Sequence, residues 1–325
     1  MDTSYLTLPE KFLEKVPLFI PEEKISSVLQ TFTRKRLPSF RVNTLKTSLT
    51  AVEKQLTDKE FVLEKVLWNP DAFVLTNKSI QELMDTAPYN NGEIYIQNLS
   101  SMIPALVLNL QPTDRVLDMA AAPGSKTTQI AALMGNNGEI VGNDISKERL
   151  YKLKHNLTEQ GVTNTIIKSI PGEFIWKRYP EYFDKVLLDA PCSMEGLFDS
   201  NNPKTYTHWT QRKVKDLAIK QTHLLRSAIS ATIPGGTIVY STCTLSPEEN
   251  EAVIDWMLKK EGDAISLESI EIPHLSLDSG ITNWKKGLSS ELTKTARIWP
   301  TDTMEGFFIA KLRKNTSTIP TDFRM

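Results

Sequence analysis

Two thiols stand where this chain could do chemistry. Cys192 and Cys243 are the only cysteines among its 325 residues. Cys192 lies in V-L-L-D-A-P-C-S (Val186 to Ser193), and Cys243 lies in I-V-Y-S-T-C-T-L (Ile238 to Leu245). Each run reads as a buried parallel strand that ends in a polar turn. In an open α/β sheet, ligands bind outside the carboxyl ends of the strands. A free cysteine is commonly a small core residue, but the shared placement of both thiols at such turns points to reactivity. Asp189 precedes Cys192 across the rigid Pro191; alone it would read as a helix N-cap. After Cys243 the run S-T-C-T-L-S-P-E-E-N-E predicts a capped helix, with Ser246 as N-cap, Pro247 at the first position and Glu249 at the third. The positive end of that helix would lower the Cys243 thiol pKa modestly.

A third run, V-L-D-M-A-A-A-P-G-S-K-T-T (Val116 to Thr128), joins a strand to a helix. Its small residues let the backbone approach a ligand, and Gly124 is free to take a positive φ. The helix that follows offers unpaired N–H groups to an anion such as a carboxylate. Asp144 comes 20 residues after Gly124, at the end of the next strand, where a carboxylate can accept hydrogen bonds from a ribose diol. A dinucleotide fold would want G-x-G-x-x-G, and only one glycine is present. A nucleoside-triphosphate loop would want G-x-x-x-x-G-K-[ST], and this run has Ala120 and Ser125 at the two glycine positions. S-adenosylmethionine fits best, because it needs an acidic ribose contact and a carboxylate site but no phosphate cradle.

These turns need a scaffold. Strands are predicted at Arg115–Met119, Ile140–Asn143, Thr165–Lys168, Val186–Asp189, Thr237–Ser241 and Phe307–Leu312. Helices are predicted at Leu99–Leu110, Lys126–Met134, Lys147–Gln160, Lys213–Ile233 and Pro247–Glu261. The alternation predicts an α/β domain over residues 97–314, with a mostly parallel sheet and helices on both faces. Residues 1–96, with a helix at Pro21–Phe32 and short strands at Phe40–Asn43, Val62–Trp68 and Ala72–Leu75, predict a smaller N-terminal α+β domain. Residues 315–325 read as a frayed tail.

Composition narrows the class. Hydrophobic content of 40% and charged content of 24% are ordinary for a globular protein. No apolar run has the length of a membrane span, and the first residues carry no signal-peptide pattern. Two unpaired cysteines suggest a reducing cytoplasm, and neither four-thiol zinc spacing nor H-E-x-x-H is present, so no metal is expected. The net charge is −1, so any nucleic-acid surface has to be local. The candidate is Arg34-Lys35-Arg36 with Arg41; its alternative is a solvated charged face.

Taken together, D-M-A-A-A-P-G-S-K-T, L-L-D-A-P-C-S and Y-S-T-C-T-L-S-P-E-E-N-E resemble the three signature motifs of the Nop/Sun family of RNA (cytosine-5) methyltransferases, particularly the bacterial small-subunit ribosomal RNA enzymes. R-V-N-T-L-K, Y-I-Q-N-L-S-S-M, His208-Trp209 and E-G-F-F-I-A-K-L are similar to further family segments. The resemblance implies a Rossmann-like S-adenosylmethionine-dependent methyltransferase sheet, a monomer, and RNA as partner, with ribosomal RNA favoured over transfer RNA. It implies that Cys243 is the nucleophile, Cys192 releases the product and Asp189 contacts base and cofactor. Ala120, Ala121, Ala122, Pro123, Gly124, Ser125 and Lys126 would form the cofactor loop, and Asp144 the ribose contact. Two departures stand out. Pro171 falls where members place an acid on the adenine side, with Glu173 as the nearby substitute. Met194 and Asp199 fall where many have glycine and arginine. A catalytically idle RNA-binding scaffold is the competing reading, opposed by the presence of both cysteines and Asp189.

Overall fold

The computed structural model describes residues 4–285 and 287–319. Two sheets organise it. The smaller one holds β1 (Ser39–Val42), β2 (Leu63–Lys65), β3 (Ala72–Leu75) and β4 (Ile94–Ile96), all antiparallel in the order β2-β3-β1-β4. Side chains alternate across a strand, and the strand sequences use this. Phe40, Val42, Phe73 and Leu75 pack on the helix Leu49–Thr57, whereas Ala72 and Val74 turn the other way toward Leu99 and Met102. Ser48 starts that helix by accepting from the Ala51 N–H.

The larger sheet contains β5 (Arg115–Asp118), β6 (Glu139–Asn143), β7 (Thr165–Lys168), β8 (Phe183–Asp189), β9 (Thr232–Thr242), β10 (Ile265–Glu268), β11 (Asp278–Ser279), β12 (Ala296–Ile298) and β13 (Phe307–Lys314). Its order is β11-β12-β13-β9-β8-β5-β6-β7, with β10 pairing β13. Strands β7, β6, β5, β8 and β9 run parallel, and β13 lies antiparallel to β9. Both faces are covered, so the central strands carry buried apolar side chains on each. Leu117, Val141, Val186, Leu188, Ile238 and Tyr240 meet the helices Gln211–Ala231 and Glu251–Glu261. Val116, Ile140, Leu187, Val239 and Ile309 meet the helices Leu99–Val107 and Ser125–Leu133. This is a Rossmann-like sheet. After β5 the chain winds outward through β6 and β7, then returns to lay β8 on the other side of β5. The crevice between β5 and β8 is therefore the topological switch point.

Three expectations need correction. The long helix ends at Ala231 rather than at residue 233, because Thr232 is already extended and pairs with Phe183. The capping box at Ser246 does not form: the helix begins at Glu251, and Ser246 and Glu249 turn their side chains into the interior instead. The chain after 314 is pinned at its start, since the Asn315 N–H donates to Ala264 O at 2.8 Å; residues 320–325 lie outside the described residues.

The segment before β1 also packs differently from its sequence neighbourhood. Leu8, Phe12, Val28 and Phe32 cluster with Phe198, Tyr206, Trp209, Trp284 and Trp299 of the larger half, not with the small sheet. Phe12 meets Phe198 edge-on at 5.0 Å between ring centroids. The N-terminal helices thus brace the loop that follows Cys192. No helix among the described residues is long and apolar enough to cross a membrane.

Candidate active site

Three strand ends build the site. β5 runs into the loop Met119–Gly124 and the helix Ser125–Leu133. β8 delivers Asp189 and, three residues on, Cys192. β9 delivers Cys243 just past Thr242. Asp189 sits opposite Ser241 in the parallel ladder, so the two cysteine turns leave the sheet side by side. The sulfurs of Cys192 and Cys243 lie 3.3 Å apart, unbonded and half-buried. A thiol–thiol hydrogen bond with Cys243, then burial, then the charge of Cys243 and of Glu249 push the Cys192 pKa well above the ordinary thiol value. Either sulfur could be the donor of the hydrogen bond between them.

Beneath the thiols lies a buried polar brace. Glu249 accepts from the Ser193 N–H at 3.0 Å, from the Ser193 hydroxyl, and from Gln221 Nε2 at 2.9 Å. Burial, with the nearby charge of Glu195, raises the Glu249 pKa to about 7. Glu195 in turn accepts from Trp209 Nε1 at 2.9 Å, Ser246 Oγ at 2.5 Å and Thr244 Oγ1 at 3.0 Å. A buried polar network of this kind rigidifies the site; among the described residues Gln221 Oε1 is its one atom left without a hydrogen-bond partner. Met194, where many resembling sequences have glycine, takes φ 60° and ψ 30°. That is the left-handed conformation a glycine adopts freely, so the methionine bears a cost of about 1 kcal/mol for the same turn.

The β5 loop is shaped for a ligand. Gly124 has φ 113°, and a Cβ there would lie 3.0 Å from Leu153 Cδ1. The helix after it has no side-chain cap, which leaves its first-turn amides available to an anion. Lys126 Nζ lies 2.7 Å from Asp189 Oδ2 and 2.6 Å from Ser101 Oγ. Burial works against the lysine charge, but the charge and hydrogen bond of Asp189, with the charges of Cys243 and Asp118, together hold the Lys126 pKa above the usual value. The other oxygen of Asp189 accepts from Ser241 Oγ at 2.7 Å. Asp144 is 3% exposed at the end of β6. Its Oδ1 holds the Ser146 N–H at 2.9 Å, whereas Oδ2 has no hydrogen bond and only the Arg149 guanidinium at 3.1 Å as ion-pair partner. A carboxylate oxygen held only by the half-exposed Arg149, an uncapped helix and a glycine-only approach fit the ribose and the carboxylate of S-adenosylmethionine.

Some residues that sequence reasoning missed belong here. Asp118 ends β5, is 1% exposed and accepts from Thr127 Oγ1 at 2.6 Å; burial raises its pKa to about 6. It was visible as the acid opening D-M-A-A-A-P-G. Glu305 and Asn98 face the same crevice, and Glu249 was readable only as a helix-capping residue. On the adenine side, Ile170 is gripped by both ends of the Asn143 amide at 2.9 Å, while Glu173 lines a separate cavity with Trp176, His223 and Arg226.

The expected RNA contacts divide. Arg34 and Lys35 are exposed, and Arg34 is 3.7 Å from Asp302. Arg36 is half-buried and donates to Gly196 O at 2.9 Å. Arg41 is not a phosphate contact: it is 2% exposed, bonded to Gln97 Oε1 at 2.9 Å and Thr128 Oγ1 at 2.6 Å, and its guanidinium lies 5.0 Å from the Tyr95 ring centroid. Burial lowers its pKa to about 10. Because β1 alternates, Phe40 and Val42 face the small core and Arg41 must point at the larger half, where it rivets the two sheets. Replacing Arg41 with methionine is expected to cost about 2–3 kcal/mol, since buried charge-assisted hydrogen bonds are lost. Urea unfolding checks this, with Lys35→Ala expected to leave the midpoint unmoved.

The sheet order and the loop at the switch point define the class: this is a Rossmann-like methyltransferase fold. The chain belongs to the 16S rRNA methyltransferase RsmB/F family, whose model matches residues 105–313; a model of the N-terminal domain of 16S rRNA methyltransferase RsmF matches residues 8–99. A relative from Vibrio parahaemolyticus, ribosomal RNA small subunit methyltransferase F, is 40% identical over 315 residues, covering 95% of this chain and 64% of its own length. One from Serratia proteamaculans, of the same name, is 39% identical over 96% of the chain and 64% of its own length. The chain therefore spans about 64% of the length of these curated relatives. The structure of a methyltransferase homolog from Pyrococcus horikoshii superposes with a TM-score of 0.83 and 34% identity, covering 97% of this chain and 100% of that one.

Proposed function

We propose that this chain transfers a methyl group from S-adenosylmethionine to carbon 5 of a cytosine in ribosomal RNA, through a transient bond between Cys243 and the base. The observation that carries this reading is the 3.3 Å pair of sulfurs at two adjacent strand ends, beside the Lys126–Asp189 ion pair. S-adenosylmethionine, held by Ala120–Lys126 and Asp144 with Asp189 nearby, would supply an electrophilic methyl group on a positively charged sulfur.

The chain's own groups account for the rest. Carbon 5 of cytosine is too weak a nucleophile unaided. Addition of the Cys243 thiolate to carbon 6 converts the ring to an enamine-like form, so covalent catalysis divides one hard step into easier ones. Cys192 donates a hydrogen bond to the Cys243 sulfur before the attack and stabilises its anionic form. Once Cys243 is bonded to carbon 6, that hydrogen bond is gone. The main reason for the raised Cys192 pKa goes with it, so the thiol can pass its proton to water and, as a thiolate, accept the one on carbon 5. Cys243 then leaves as a thiolate and the aromatic ring is restored. Arg34, Lys35 and Arg36 would hold the RNA backbone, which positions a substrate without choosing its sequence. The target base must be unstacked to reach the thiol.

Incubation with methyl-labelled S-adenosylmethionine and 16S ribosomal RNA, assembled small subunits or transfer RNA tests this reading. Label in 5-methylcytosine, located by bisulfite mapping, is the expected result. Label only on another atom, or only in transfer RNA, sinks it in whole or in its choice of substrate.

A further inference from the structure

The long helix Gln211–Ala231 carries five cations, Arg212, Lys213, Lys215, Lys220 and Arg226, against one acid, Asp216. The whole chain has a net charge of −1, so this surplus is local. Arg212, Lys215, Ile219, His223 and Arg226 recur at three or four residues, which puts them on one solvent face over about 21 Å. Ile219 is 60% exposed there. The N-terminal half of this face flanks the Cys192 turn: Trp209 Nε1 donates to Glu195 at 2.9 Å, and Gln221 Nε2 donates to Pro191 O at 2.9 Å. Its other end opens on a cavity of about 650 Å³ lined by Phe174, Trp176, His223 and Arg226, with Glu173. The cavity wall is fixed, since Ser227 Oγ donates to Gly172 O at 2.7 Å. Phe174 is 55% exposed. Lys177 Nζ stands 5.1 Å from its ring centroid and 6.0 Å from that of Trp176. Of the acids beside the stripe, Asp216 is matched by Arg212 at 3.8 Å and Glu261 by Arg226 at 3.6 Å. Lys177, Arg178, Lys215 and Lys220 are exposed and form no ion pair among the described residues.

We propose that this helix face and the aromatic cavity at its end form a second RNA-binding surface, which holds a single-stranded stretch running outward from the target nucleotide. This rests on the RNA-methylation reading above. A charged helix face is commonly no more than solvated. The aromatic cavity in line with the cations sets this one apart. Single-stranded RNA is held by cations that track its backbone and by rings on which its bases stack, and both occur here in series. Lys215, Lys220, Lys177 and Arg178 take phosphates, each without giving up an ion pair. Phe174 takes the face of one base, and the base covers a ring that otherwise stands in water. Neither kind of contact reads sequence, because every nucleotide has a phosphate and every base has a π face. The surface therefore adds affinity and direction without choosing which base meets Cys243. It lies on a different segment from Arg34, Lys35 and Arg36, so the two act on different parts of the bound strand.

The test is the affinity for 16S ribosomal RNA as a function of salt, by filter binding, with kcat and KM for methyl transfer measured alongside. The triple variant Lys177→Gln/Lys215→Gln/Lys220→Gln should bind about tenfold more weakly at physiological salt. Its slope of log affinity against log salt should be shallower by about 2, since each phosphate contact on a single strand contributes about 0.7. Phe174→Ala should also bind about tenfold more weakly, but with the wild-type slope, because stacking releases no counterions. In both variants KM for RNA rises, while kcat at saturating RNA and S-adenosylmethionine binding by calorimetry stay unchanged; a folding defect would move those as well. Lys59→Gln/Lys152→Gln/Lys154→Gln removes the same charge from exposed lysines elsewhere and should leave affinity and slope near the wild type. Wild-type affinity in the first triple variant or in Phe174→Ala, or an equal loss in the charge-matched control, overturns this surface and leaves the methyl-transfer reading standing. A wild type that neither binds nor methylates RNA overturns the underlying reading, and this assignment with it.

Discussion

Cys243→Ala is expected to lose methyl transfer by about a thousandfold or more, the scale on which removal of a covalent nucleophile acts. Cys192→Ala is expected to lose turnover as well, but in a different way: it should accumulate a protein–RNA adduct that survives denaturing electrophoresis. The distinction follows from the geometry. The two sulfurs are 3.3 Å apart, close enough to exchange a hydrogen bond and to meet the same base. The hydrogen bond with Cys243, then burial, raise the Cys192 pKa. Without Cys192 the bond from Cys243 to carbon 6 can still form, but the proton on carbon 5 has lost its acceptor. The adduct then persists. The double variant should form none, which separates trapping from adventitious cross-linking. Labelled RNA, the three variants and a denaturing gel decide the matter. An adduct in Cys243→Ala, or its absence in Cys192→Ala alongside full turnover, would reverse or remove the assigned roles.

The parts of this site that sequence reasoning reached share a property: they act through their own strand end. Cys192, Cys243, Asp189, Asp144 and the Ala120–Lys126 loop each close a strand whose apolar period was plain, so a strand–turn pattern located them. The parts it missed act across the chain. Arg41 follows a basic run and reads as a phosphate contact with it, but strand alternation on a sheet covered on both faces turns it inward to Gln97 and Thr128. Ser246 and Glu249 have the spacing of a capping box, yet partners from distant segments win: Glu195 and Lys15 take Ser246, and Ser193 and Gln221 take Glu249. Glu195 itself carried no local pattern at all. Phe198 and Trp209, the aromatic partners of Phe12 and Phe32, lie far off in sequence and carry no local signal. Local rules predict local structure well; which element a buried polar group or an aromatic ring joins is settled by tertiary packing.

Gly196→Ala should be the most damaging single-methyl change near the site. Gly196 lies where the chain after Cys192 crosses the chain before β13. A Cβ on it would stand 2.1 Å from Gly306 O and 2.9 Å from Cys243 O. Both obstacles are backbone atoms, so no change of rotamer relieves them, and the two segments must separate. The same contact sets three things at once. Gly196 N holds the Cys243 carbonyl, Gly196 O receives Arg36, and Gly306 carries Glu305 into the crevice. Opening it should cost about 3 kcal/mol in stability, at the upper end for overpacking. It should also cost about a hundredfold in transfer rate, because displacing a reacting group by about 1 Å has effects of that order. Gly142→Ala is the contrast: its Cβ would meet only side chains, none nearer than 3.4 Å, so both losses should be much smaller. Urea midpoints and single-turnover rates for the two variants measure the difference. Near-equal behaviour would mean that the crossing yields easily, and then Cys243 and Glu305 are not held in register by the Gly196–Gly306 contact.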